Sequence, residues 1–253
     1  MQSQGQKIAL VTNASDYAGP PAVKALSEAG FRVFVHDKTF TDASIGARFS
    51  ETHPYAEIIV ASSQAELVAT LWQRGGRMDV IVSNDHYPAV HEALEQASPE
   101  ALRQTLEALV VEPFSLLKAA VPRLKAQGGG NVVMITSCRT RLPMIGGAIP
   151  DAARDAANAL VRSLAIELAP FAIAINAIAP NFLYSEAYYP RAIFEENQKG
   201  RAYVEANVPA QRLGKPEEIG EIIAFLAGSQ AKFLTGAIID FAGGWPAAAM
   251  RPK

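Results

Sequence analysis

Residues 7–21 read KIALVTNASDYAGPP, and the order in which their character changes decides the fold. Lys7–Thr12 (KIALVT) is a short apolar run, a polar turn follows, and from Gly19 a helical pattern extends to about residue 29. The unit recurs along the chain. Strands are expected at Arg32–His36, Glu57–Ala61, Asp79–Ser83, Asn131–Thr136, Ala172–Ile178 and Ala237–Phe241, with helices at roughly 18–29, 41–52, 64–75, 98–127, 150–169 and 216–229. The strand runs are continuously apolar rather than alternating, as in strands covered on both faces. Alternation of strand and helix through short connections predicts a doubly wound, seven-stranded parallel sheet in one α/β domain spanning 1–253. No Pro/Ser/Gly-rich linker divides the chain. The segment Asn181–Asn207 breaks the pattern; it is long and aromatic, and at the carboxyl end of a strand such a segment is expected to form a pocket.

Composition narrows the function classes. Of 253 residues, 49% are apolar, enough for a sizeable core, and a net charge of −2 with no basic run gives no reason to expect nucleic acid or an anionic membrane as partner. The single cysteine, Cys138, excludes an internal disulfide and fits a reducing compartment. The five-residue apolar run near the start is too short for a signal or spanning segment, so a cytoplasmic location is expected. His36, His53 and His91 show no metal-ligand spacing, and no metal is expected.

The turn at 12–19 bears on cofactor use. A Rossmann-like fold that binds a dinucleotide needs glycines here, so that backbone amides approach a pyrophosphate at the helix N-terminus. Only Gly19 is present: Asn13 takes one expected glycine position, Tyr17 brings a ring into the phosphate space, and Pro20 and Pro21 each remove an amide donor. No cofactor is expected to bind in the usual way, and Asp37, after the second strand, reads as a capping residue.

A second stretch, TSCRTRLPMIGGAIPDAARDAANAL at 136–160, ends a strand on Ser137 and places Arg154 in an alanine-rich helix. The first turn, VSN at 82–84, the serine-ended strand MITS at 134–137, RLGKPEEIGEIIAFLAG at 212–228 and FLTGAIIDFAGG at 233–244 together make the chain resemble the short-chain dehydrogenase/reductase superfamily over almost its whole length. Within that superfamily it is most similar to the halohydrin dehalogenases, through the Thr12/Tyr17/Gly19 turn, VSNDHYP at 82–88 and PNFLYSEAYYP at 180–190.

The resemblance implies conversion of vicinal haloalcohols to epoxides and halide, and the reverse opening of epoxides by small anions, without nicotinamide. It implies catalytic roles for Ser137, as holder of the substrate oxygen, and for Arg154, as the fixed charge beside a phenol. It implies a substrate and halide site at Tyr17, His86, Tyr87, Pro180, Asn181, Phe182 and Leu183, an aromatic edge and backbone donors around a small anion. The family's catalytic tyrosine is absent: Pro150 stands thirteen residues after Ser137, four before Arg154. A proline has no proton to exchange. Its fixed φ suits a helix start, with Asp151 favoured beside it by the helix dipole. Substitutes for the missing base are Asp151, read first as a solvated first-turn residue; His86, whose ring titrates near neutrality; and Tyr87, Tyr184, Tyr188 and Tyr189, read first as apolar wall.

The long apolar girth of 98–127 and 150–169 (Ala152, Ala153, Ala156, Ala157, Leu160 and Leu164 in the second) favours a homodimer or homotetramer, the arrangement the resemblance implies for these helices. The tail GGWPAAAMRPK would extend toward a neighbouring subunit, with Trp245 at its pocket. Two other readings stay open: a nicotinamide-dependent short-chain oxidoreductase, and a non-catalytic relative that acts as a binding or oligomeric partner.

Overall fold

The computed structural model describes residues 5–248. Seven strands, β1 (Ile8–Thr12), β2 (Arg32–His36), β3 (Ala56–Ile58), β4 (Val80–Ser83), β5 (Gly130–Ile135), β6 (Ile173–Pro180) and β7 (Ile238–Phe241), form one sheet in the order β3-β2-β1-β4-β5-β6-β7. Every neighbouring pair is parallel. The strand runs expected from the sequence therefore all form, and the Rossmann-like architecture follows.

Burial explains the composition of the strands. β1, β4, β5 and β6 are buried at every residue, because the sheet carries helices on both faces. On one face α1 (Gly19–Glu28), α2 (Ala43–Thr52) and α9 (Pro216–Gly228) cover a layer containing Val11, Val35, Val82 and Ile178. On the other, α3 (Gln64–Gly75), α5 (Glu112–Gln127) and α6 (Ala148–Leu168) cover Leu10, Phe34, Ile81 and Ile175. Successive side chains of one strand enter opposite layers, so each strand contributes to both cores.

Three local findings depart from the sequence reading. The segment expected as one helix over 98–127 is α4 (Pro99–Leu106) and α5 joined by a π turn, Glu107–Val111. The excursion at 181–207 is not irregular throughout: it holds α7 (Arg191–Phe194) and α8 (Gln198–Asn207), the latter capped by the Asn197 side chain, which accepts from the Lys199 amide at 2.8 Å. α6 begins at Ala148, so Pro150 is its third residue rather than its first. Proline is still tolerated there, because the first-turn amides have no intrahelical acceptor.

The strand order reverses direction between β1 and β4, where connections leave toward opposite edges, and the carboxyl ends of β1, β4, β5 and β6 gather on one side. Such an edge is where open α/β sheets form their crevice. Among the described residues, no helix is long and apolar enough to cross a membrane.

Candidate active site

At that edge lies a cavity of about 280 Å³, lined by residues from four separate strand ends and the π turn. Ser137 comes from the end of β5, Arg154 and Pro150 from α6, Tyr17 from the turn after β1, Tyr87 from the segment after β4, and Pro180, Asn181, Phe182 and Leu183 from β6 and its following loop. The structure thus brings to this cavity every residue that the resemblance implied as catalytic or as substrate- and halide-binding except one. His86 does not line the cavity. Its ring packs behind Tyr17, centroids 6.1 Å apart, and Nδ1 lies 3.3 Å from the Asn84 carbonyl. Its neighbour Tyr87 does line the cavity. The histidine that reaches the cavity wall is His91.

The turn after β1 holds its shape without glycines. Asn13 and Tyr17 both adopt left-handed backbone, φ 48° and 55°, a conformation that Asn tolerates and a tyrosine occupies only under tertiary constraint. The constraint is Asn84, whose Nδ2 donates to the Asn13 carbonyl at 2.8 Å and the Asp16 carbonyl at 2.9 Å, while Asn13 Nδ2 returns a bond to the Asn84 carbonyl at 3.2 Å. Gly19 is required by contact: a Cβ there would meet the Ala14 carbonyl oxygen at 2.6 Å.

The same turn answers the cofactor question in terms of donors. At the start of α1, the Gly19 amide bonds to Asp16 O at 2.9 Å and the Ala22 amide to Ala18 O at 3.1 Å, and Pro20 and Pro21 have none. The first turn of α1 therefore offers no free N–H to a phosphate, and the Tyr17 ring lines the cavity where that phosphate would lie. These residues do not fit a pyrophosphate. Asp37 behaves as a cap: its carboxylate accepts from the Thr39 amide at 2.9 Å and the Ser15 amide at 3.1 Å, bonds that hold it below the usual carboxylate range against the opposing effect of burial.

Around Ser137, Oγ donates to the Pro180 carbonyl at 3.2 Å and accepts from the Arg139 amide at 3.1 Å, while Asn158 Nδ2 steadies the Ser137 carbonyl at 3.0 Å. Arg154 is 7% exposed. Its Nη1 donates to the Asp85 carbonyl at 2.8 Å and its Nη2 to the Tyr188 hydroxyl at 3.0 Å. Tyr188 in turn donates to the Tyr87 carbonyl at 2.7 Å and accepts from the Tyr87 amide at 3.0 Å. Burial is the main reason the Tyr17 and Tyr189 phenols lie well above their ordinary value; Arg154 opposes it for Tyr17.

Asp151 is not the solvated residue read from the sequence: it pairs with Arg139, and both side chains are less than one-fifth exposed. Burial raises its carboxyl above the ordinary value despite that partner. Gly147 makes room for the pair, since a Cβ there would lie 2.8 Å from Asp151 Oδ2 and 3.0 Å from Arg139 Nη2. Arg139 and His91, which both line the cavity, were missed as site residues; the signal for Arg139 was its position two residues beyond the strand-end serine.

At the positions expected to cradle an anion, most of the backbone donors are already used. The Asn181 amide is taken by the Phe241 carbonyl at 3.1 Å, and the Phe182 amide by Asn181 Oδ1 at 3.1 Å; Phe182 itself is left-handed, φ 57°. Among the described residues, the Leu183 amide has no acceptor. Of the loop tyrosines, Tyr188 and Tyr189 line the cavity, whereas Tyr184 points outward to Glu186, 2.7 Å away, beneath Arg191. Trp245 packs on Phe182 within this chain, ring centroids 6.1 Å apart, and the rest of the tail, 249–253, lies outside the described residues. Among the described residues, no group of three or more His, Cys, Asp or Glu is placed to hold a metal ion.

Known proteins resemble the chain at this level too. The family described as enoyl-(acyl carrier protein) reductase matches residues 19–246. A dehydrogenase/reductase SDR family member 4 of Pongo abelii is 30% identical over 95% of this chain and 87% of its own length. An uncharacterized oxidoreductase of Methylorubrum extorquens is 31% identical over 94% of this chain and 97% of its own. Among solved structures, a halohydrin dehalogenase bound to ethyl (2S)-oxiran-2-ylacetate superposes with a TM-score of 0.94 at 32% identity, covering 98% of this chain and all of that one. A structure described as a dehalogenation enzyme gives 0.91 at 33% identity, covering 95% and 98%.

Proposed function

Because the chain belongs to the short-chain dehydrogenase/reductase superfamily, and its first turn does not suit that superfamily's usual cofactor, we propose that it is a cofactor-independent halohydrin dehalogenase-type lyase. It would close vicinal haloalcohols to epoxides with release of halide, and open epoxides with small anions. The observation that carries the reading is the start of α1, where two amides are bonded internally, two are replaced by proline, and Tyr17 fills the remaining space.

The residues divide the work as follows. Ser137, on leaving the Pro180 carbonyl, donates to the substrate oxygen. Arg154 sits beside the oxygen that gains negative charge; a buried guanidinium remains protonated and is worth far more there than in water. The unoccupied Leu183 amide and the edge of the Tyr17 ring receive the departing halide. Such a site needs positive dipoles of modest strength, which a desolvated halide meets without a full opposite charge. The exposed apolar side chains Phe114 on α5 and Ile166 on α6 are the contact faces of a homodimer or homotetramer, which light scattering tests.

The test of activity is halide release from a panel of small vicinal haloalcohols, together with azide opening of the corresponding epoxides. Turnover without added nucleotide is expected; no release from any of them would overturn the reading. The names of the sequence relatives favour a second reading, an NAD(P)-dependent oxidoreductase. Saturable heat of NAD(H) or NADP(H) binding at millimolar concentration would establish that one instead.

A further inference from the structure

The site as described has a charge to support a base and no base at the position next to it. We propose that Tyr188, reaching in from the loop after β6, is the proton acceptor that Pro150 cannot be; the inference rests on the dehalogenase reading above.

Three observations converge on it. First, Tyr188 lines the same cavity as Ser137, and its hydroxyl lies 3.0 Å from Arg154 Nη2, with the Tyr87 amide as a second donor at 3.0 Å; at rest its own proton goes to the Tyr87 carbonyl at 2.7 Å, a bond it must leave to ionise. An oxygen that must carry charge during reaction needs such donors, fixed in advance. Second, Arg154 is a buried cation whose hydrogen bonds go to the Asp85 carbonyl and to Tyr188; of the acids near it, Asp151 is held by Arg139, and the Asp85 carboxyl is pushed up to about 7 by burial, so that it is only a partial counterion. A buried charge without a counterion is costly, and an oxygen that ionises in the reaction cycle relieves that cost. Third, the other cavity phenols are placed for different work. Tyr189 donates to Asn181 Oδ1 at 2.8 Å, the half-buried Tyr17 packs its ring edge-to-face against Tyr188 at 5.0 Å, and the Tyr87 hydroxyl faces Gln104 at 3.3 Å.

Tyr188 is held where it is by its own loop. Its amide donates to Ser185 Oγ at 3.2 Å, and the Tyr189 amide bonds to Ser185 O at 2.9 Å, closing a tight turn that aims the ring inward. Pro150 lines the cavity on the opposing helix and carries nothing that competes for Arg154.

The step balances without a co-reactant. Tyr188, having given its hydroxyl proton to water at the cavity mouth, takes the proton of the substrate hydroxyl. The oxygen lone pair forms the C–O bond to the neighbouring carbon, and the C–halogen bond breaks with its electron pair leaving on the halide. One epoxide, one halide and, after Tyr188 returns its proton to solvent, one proton are released per turnover.

The test compares wild type, Tyr188→Phe, and Tyr188→Phe combined with Pro150→Tyr, with halide release followed across pH. The charged and titratable groups around the ring are Arg154 on α6, Tyr17 from the first turn with His86 packed on it, Asp85 and Tyr87 after β4, Tyr189 beside it in the loop, and Arg139 and His91 on the cavity wall. All are retained in the Phe variant, so a lost ionisation is assigned to position 188. Expected are a fall in kcat on the order of 10²–10⁴-fold with KM changed less than about threefold, loss of the rising limb of kcat/KM with pH, and partial recovery when Pro150→Tyr is added. A Phe variant with wild-type kcat and pH profile overturns the inference and leaves the dehalogenase reading intact. A slower variant that keeps the wild-type pH limb also overturns it, since Tyr188 would then only staple the loop. Absence of halide release from wild type and from the variant combining Tyr188→Phe with Pro150→Tyr alike sinks both.

Discussion

Asp85 lies directly after β4, buried, with Oδ1 accepting from Ser83 Oγ at 3.1 Å and Oδ2 lacking any partner among the described residues. Thr12 Oγ1 and Gln64 Oε1 are unpartnered as well, and all three residues line one void of about 10 Å³, room for roughly one water. Burial raises the Asp85 carboxyl from 3.8 to about 7, with Ser83 and Arg154 opposing. The folded protein therefore keeps this proton at pH values where the unfolded chain has lost it. Stability from this residue is fully present below about pH 4, declines as pH rises toward 7, and is level beyond that. At about 1.4 kcal/mol for each pH unit, the interval sets a ceiling of roughly 4 kcal/mol. The high effective dielectric of real interiors brings the expected figure nearer about 2 kcal/mol. Asp85→Asn removes the titration and supplies an amide that can donate to Thr12 Oγ1 or Gln64 Oε1 across the void. Denaturant unfolding of both proteins at pH 4.5 and pH 8 measures the difference. The Asn variant should gain about 2 kcal/mol on wild type between the two conditions, or about 4–8 °C in Tm for a chain of this size. Other titrating groups are common to both proteins and cancel. Parallel pH profiles would show that Asp85 is ionised in the folded state throughout, and the reasoning from burial would fail.

Gly19→Ala forces a Cβ to 2.6 Å from the Ala14 carbonyl oxygen, a backbone atom that cannot step aside, and should cost about 1–3 kcal/mol in thermal unfolding. Asp151→Asn strips Arg139 of its partner in a largely enclosed pair and should destabilise by about 1–3 kcal/mol; a change below about 0.5 kcal/mol in denaturant melts would remove the pair from any structural role. If the Leu183 amide receives halide, bromide should raise Tm in a saturable manner, reaching about 2.7 kcal/mol of stabilisation at a hundred times its Kd, whereas sulfate at equal ionic strength should show no saturation.

The sheet was legible because its signal is local: four of the seven strands are buried along their whole length, and continuous apolar runs such as IALVT and AINAIAP leave few alternatives. The helices inside 181–207 escaped because α7 is a single turn and α8 is largely exposed, so neither shows a strong apolar stripe; the Asn197 cap was their readable mark. Most of the candidate site residues came from the family resemblance, through motifs in four separate stretches of the chain. The contacts that decide the site's chemistry were not legible. Arg154 and Tyr188 are 34 positions apart, and Arg139 and Asp151 are 12, and no periodicity reports which side chains meet when separate strand ends converge. His86 went the other way: the family resemblance placed it in the pocket with Tyr87, but its ring is taken up by Tyr17 and the Asn84 carbonyl, contacts no local pattern announces.

The start of α1 also constrains which changes could give this chain a nucleotide site. Replacing Tyr17 by glycine opens space and adds no donor. Replacing Pro20 or Pro21 returns one amide to a turn still blocked by the ring. Each single change removes an existing fit before the other can reward it, so the turn works as a ratchet: a laboratory selection for nicotinamide binding would have to alter Tyr17 and a proline together, and would stall if offered them one at a time.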